Sequence, residues 1–135
     1  MRRMALILAL SGIVTACSYK ESFPYKGDSL VNFKTDSLYF SFGELPFSVT
    51  DTTLIIGVEI IGSTAGHERI FNITLDNSRT TARLHEHYDE PRMEGTIPSG
   101  ASAGTVALTI HRLSLQSDSV FTVVLDMLPG EDFRL

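Results

Sequence analysis

Residues 85–91 read HEHYDEP, the densest run of metal-ligating and acid–base side chains in the sequence. In an extended backbone, alternate side chains share a face, so His85 and His87 project together with Glu86 or Asp89 available after a turn. A zinc site needs three or four ligands, so His67, His111 or distant acids must supply the rest. Calcium prefers oxygen. Its candidates are Glu86, Asp89 and Glu90, joined by Asp51 and Asp118 if neighbouring loops converge, although the aspartate spacing of an EF-hand is absent. A plainer expectation competes with both: Tyr88 packs at the core edge, His87 hydrogen-bonds its own loop, His85 is solvated, and the acids sit on loop tips. No metal is assigned on these residues alone.

Sugar recognition uses flat aromatic rings beside carboxylates. With no tryptophan in the chain, the possible ligand-binding rings are Tyr39 and Tyr88. Glu59 and Glu94 are the acids to consider for glycoside cleavage, which needs two carboxyl groups at a set separation. The sequence contains no Gly-x-Ser-x-Gly elbow, phosphate loop, dinucleotide fingerprint or His-Glu-x-x-His motif. Neither a catalytic residue nor a cofactor is therefore expected, and the chain reads as a non-enzyme.

Cys17 is the only cysteine, so no intrachain disulfide can form. Before it come Arg2 and Arg3 and then the apolar stretch MALILALSGIV. That stretch is shorter than the roughly 20 apolar residues that span a bilayer, and it reads as a processed signal at residues 1–16. Val14, Thr15 and Ala16 followed by Cys17 resemble the lipobox of bacterial lipoproteins. The resemblance implies cleavage before Cys17 and acylation of its thiol, usually with acylation of the new amino terminus as well. Each buried acyl CH₂ contributes about 0.8 kcal/mol, so two or three chains anchor the protein firmly.

Cleavage leaves 119 residues with nine basic and sixteen acidic side chains, a formal net charge of −7. Such a balance disfavours nucleic acid and direct adsorption to anionic lipid. Residues 17–29, polar and broken by Pro24 and Gly27, read as a linker, and residues 30–135 as one domain. Apolar alternation within that domain predicts strands over 38–44, 52–63, 69–76, 104–112 and 119–127, with no helix of ten residues or more. The inward sets include Phe71, Ile73 and Leu75, then Val106, Leu108 and Ile110, then Phe121, Val123 and Leu125. Short alternating strands with turn residues between them predict an all-β, immunoglobulin-like antiparallel β-sandwich, with a small barrel or jelly roll as the alternative.

Several residues also carry a resemblance. Thr81 and Ala82, His87 and Tyr88, the turn at Ile97, Pro98 and Gly100, the strand residues Val106, Leu108, Ile110 and Arg112, and the closing Asp132 and Phe133 follow one another in order. Upstream, Tyr39 and Phe40 fit an early strand and Gly57, Glu59 and Gly62 a second. Together they resemble a domain-of-unknown-function family of Bacteroidetes lipoproteins, and more distantly the calcium-binding β-repeats of immunoglobulin-like fold. That family usually has glycine where this chain has His85, so the turn there is a point of departure. The resemblance implies an outer-membrane lipoprotein in the neighbourhood of glycan uptake, and the polar segment after Cys17 resembles the export tag for the cell-surface face, with the periplasmic face as the alternative. The expected partners are the membrane through the lipid, and either an envelope protein or a polysaccharide.

Overall fold

β-branched residues dominate the central run of the chain, and two long strands form there: β2 (Asp51–Ile61) and β5 (Ala103–His111). They pair antiparallel from Asp51 opposite His111 to Glu59 opposite Ala103. This register turns Leu54, Ile56, Val58, Val106 and Leu108 to one face, while Ile55 and Glu59 face outward. The computed structural model describes residues 27–113 and 119–135, so Cys17 and Asp118 lie outside the described residues.

A short strand, β1 (Leu30–Phe33), joins the free edge of β2 to give the first sheet, β1-β2-β5. The second sheet is β4-β3-β6, built from β3 (Arg69–Leu75), β4 (Glu94–Ile97) and β6 (Leu125–Leu128). All four strand pairings are antiparallel. The chain is thus an all-β sandwich. Its pairing of second with fifth strand and third with sixth is the B–E and C–F arrangement of the immunoglobulin-like architecture.

Val31, Val58, Phe71, Ile73, Ile97, Val106 and Phe133 fill the space between the sheets. Gly95 lies directly opposite Phe71, and a Cβ built on it would stand 2.2 Å from the ring's Cζ. The ring therefore occupies the room a side chain would take, an aromatic covering a cross-strand glycine. Beyond β4 the chain turns through Pro98–Ala101, closed by a hydrogen bond from the Ala101 N–H to the Pro98 carbonyl. Gly100, at φ +76°, occupies the position that makes this a type II turn.

One expected strand, 38–44, does not form, and another, 119–127, is only partly realised. Residues 38–41 form no strand and residues 42–44 form one 3₁₀ turn, with Ser41 capping the N–H of Gly43. The carbonyls of Phe42 and Leu45 accept from the Arg112 guanidinium instead of from a neighbouring strand. In the predicted strand 119–127, only the segment from Leu125 onward pairs with β3 in a regular ladder. Its upstream half is held by threonine: Thr122 N–H donates to Thr81 Oγ1 and Val124 N–H to Thr80 Oγ1. Conversely, β1 and β4, each four residues long, carry too short an alternation to be predicted.

The chain enters at the lower end of the sandwich, where Leu30 faces Ile61 and where Arg134 bridges Leu30 in parallel. Asp51, His111, Leu75 and Leu125 mark the upper end.

Candidate functional site

The two sheets part at the upper end and leave a groove of about 220 Å³. Its floor is the inward face of the first sheet, from Leu54 and Ile56 to Leu108 and Ile110. One wall is the continuation of β1, carrying Phe33, Leu38 and Phe40, and the other is the approach to β6, carrying Phe121, Val123 and Leu125. Thr35, Asp36 and Ser37 form a polar lip in which Asp36 is the charged residue. Leu38, Phe40 and Phe121 remain exposed, so these residues form an incompletely covered part of the core.

Both walls are braced from behind. His87 stacks on Phe121 with ring centroids 3.8 Å apart, and its Nδ1 accepts the Arg83 N–H at 2.8 Å, which leaves the proton on Nε2. On the other side the Phe40 and Phe42 rings meet edge to face at 5.0 Å, and Arg112 lies over both Phe42 and Phe47. Phe47 is 94% exposed and Tyr39 89% exposed, so the upper end presents several unshielded rings.

The expected chemical residues separate. Tyr39 offers its ring to solvent, whereas Tyr88 is 3% exposed and forms an antiparallel bridge with Ile110, which leaves no free face for a sugar. Glu86 is paired with Arg83 at 3.0 Å, Asp89 contacts His111 at 3.1 Å, and Glu90 is exposed. Among the described residues, no group of three or more His, Cys, Asp or Glu side chains is arranged to hold a metal. Glu59 and Glu94 face outward from opposite sheets, separated by a core about 10 Å thick, and do not form an acid pair.

Register, not sequence spacing, creates one polar cluster. Asp51 and His111 are cross-strand neighbours, and the 83–90 loop docks on β5 through Asp89 N–H to the Thr109 carbonyl and His111 N–H to the His87 carbonyl. His111 consequently places Nδ1 2.6 Å from Asp51 and Nε2 3.1 Å from Asp89. The hydrogen bond to Asp51 chiefly raises the His111 pKa, with Asp89 assisting and burial opposing; the same contact, helped by Thr50, lowers that of Asp51.

The pH consequence follows from both signs. His111 contributes stability fully below its ordinary value of 6.5, and that contribution is lost as pH rises through the raised folded value. Asp51 contributes above its ordinary value of 3.8, and loses that contribution as pH falls through the lowered folded value. The clamp is therefore strongest between these two ordinary values. Thermal melts of the parent should decline more steeply between pH 6 and pH 9 than those of His111→Asn; equal slopes would show that the clamp is idle.

Residues 18–135 match the family described as Domain of unknown function (DUF4843). The chain belongs to the DUF4843 family. No curated protein and no solved structure matches it.

Within this DUF4843 chain, several of the motif residues noted in the sequence have structural roles. Thr81 and Ala82 hold the Thr122 carbonyl through their N–H groups, Tyr88 seals the edge of β5, and Ile97 is fully buried before the type II turn. Asp132 accepts the Ile70 N–H at 2.8 Å beyond the point where β6 stops pairing with β3, and Phe133 enters the core. The departure at His85 also has a structural counterpart: its φ is +62°, the left-handed region that glycine enters freely. His85→Gly should accordingly raise the urea midpoint, gaining about 0.5–1 kcal/mol. An unchanged or lower midpoint would mean that the imidazole offsets the backbone strain.

Proposed function

We propose that this protein is a non-catalytic cell-envelope lipoprotein whose β-sandwich binds another envelope component, as an accessory or scaffold in glycan acquisition. The observation that carries this reading is polarity of layout. The chain enters the sandwich at the lower end, while the groove and the exposed Tyr39 and Phe47 occupy the upper end. A lipid on Cys17 would then hold the protein at the outer membrane, with the aromatic end directed away from the bilayer, in keeping with a position facing the cell surface. The lipobox supports the anchor, and the family resemblance supports the glycan context.

A photoreactive benzoylphenylalanine placed at Phe47 in the membrane-bound protein tests the reading, with Gly66 in the lower β2–β3 loop as the control position. A discrete protein adduct is expected from position 47 and none from position 66. No adduct from position 47, or the same adducts from both, would refute it.

Direct polysaccharide binding is the second reading, favoured by the exposure of the Tyr39 ring. It requires Tyr39→Ala to lose retention on a polysaccharide panel. Retention unaffected by that substitution removes Tyr39 from any such role.

A further inference from the structure

The groove opens beside an edge strand. After β6 the chain turns back, with the Gly130 N–H bonded to the Phe133 carbonyl, and Arg134 comes beside Leu30 running parallel to β1. The groove lies above this point, between β1 with its extension to Phe40 and β6 with its approach from Phe121. β6 is an edge strand: among the described residues it pairs with β3 alone. Its other edge can offer backbone donors and acceptors at strand spacing.

The sequence of both walls matches this geometry. Residues 38–42 and 119–123 alternate as strands do, yet neither forms a regular strand. Side chains that the alternation turns inward, Leu38, Phe40 and Phe121, are left exposed at the groove. Among the described residues no strand lies between these two segments. A volume of about 220 Å³ is below the roughly 300–1,000 Å³ of small-molecule sites and suits a few side chains entering from a backbone that remains above them. The lip contributes an acid and no base, on a chain whose formal net charge is −5.

We propose that the groove receives one extended segment of a partner polypeptide, apolar at alternate positions with basic residues between, which pairs with the open edge of β6. Alternate apolar side chains would fill the floor over Leu54, Ile56, Leu108 and Ile110, while main-chain hydrogen bonds supply affinity. The basic residues would face solvent and Asp36. This deepens the binding-module reading and rests on it, because it names the chemistry of the bound component.

The test uses the full chain and two synthetic ten-residue peptides of identical composition, one alternating valine with lysine or threonine and one with its valines grouped. Calorimetric titration should show the alternating peptide binding at least tenfold more tightly. Phe121→Ser and Leu38→Ser should each weaken it at least tenfold, whereas Ile55→Ser, on the outer face of the first sheet, should leave it within twofold. N-methylation of every second peptide nitrogen, in at least one of the two frames, should also cost tenfold or more.

Equal binding of the two peptides, no binding of either, indifference to both N-methylation frames, or displacement of the peptide by dodecanoate at stoichiometric levels would overturn the strand site. Self-association in ultracentrifugation that is abolished by Phe121→Ser would assign the groove to a second copy and overturn it equally. An adduct at position 47 with peptides that do not bind removes the strand and leaves the module. Specific peptide binding with no adduct in the membrane removes the module and leaves a groove competent for a strand.

Discussion

Gly95→Ala should lower the stability of the domain by about 3 kcal/mol, at the upper end of what overpacking a core costs. A methyl group at this position would stand 2.2 Å from Cζ and 2.8 Å from both neighbouring ring carbons of Phe71. Phe71 cannot yield easily, because it is fully buried and also lies close to where a Cβ on Gly104 would stand. At roughly 4–8 °C per kcal/mol for a domain of this size class, a fall in Tm of at least about 10 °C is expected. Phe71→Leu removes the clashing ring carbons, so the double variant should be at least about 1 kcal/mol more stable than the sum of the single effects predicts. Additive losses would show that Gly95 is required for another reason.

Phe133→Ala should cost about 3–5 kcal/mol in urea unfolding, with a lower midpoint and an unchanged slope. Phe133 is a core residue, and its ring also supports Arg69, whose guanidinium carbon lies 4.8 Å from the ring centroid. Arg69 is 5% exposed, and its buried Nη2 has no hydrogen-bond partner among the described residues. Removing the ring thus opens a cavity beside a cation that is already poorly compensated. Arg69→Met, which replaces that cation by an apolar chain of comparable length, should recover part of the loss in the Phe133→Ala background. No recovery would mean that the ring acts through packing alone.

Both effects arise where residues far apart in sequence share one space, and the same distinction separates what was legible from what was not. Phe71 and Ile73, or Val106 and Leu108, could be assigned to a core because a buried strand in an antiparallel sheet repeats every two residues. Asp51 and Asp89 could be paired only on the condition that their loops converge, and His111 could not be placed between them, since that proximity depends on the β2–β5 register and on a loop docking against β5. Of the two candidate rings Tyr39 was the stronger and Tyr88 was also expected at the core edge; a bridge to Ile110 buries Tyr88, while Tyr39, on a segment that forms no strand, stays exposed.

The sequence by itself determined an all-β domain, the strands β2, β3 and β5, and the inward faces of β3 and β5. These are local consequences of side-chain alternation and allowed backbone angles. Only the tertiary structure decided that residues 38–41 form no strand, that the inward residues of 119–127 line an open groove, and that acids expected on free loop tips are engaged by Arg83 and His111. A strand exists only when its backbone groups find partners, and partners are supplied by segments distant in the chain.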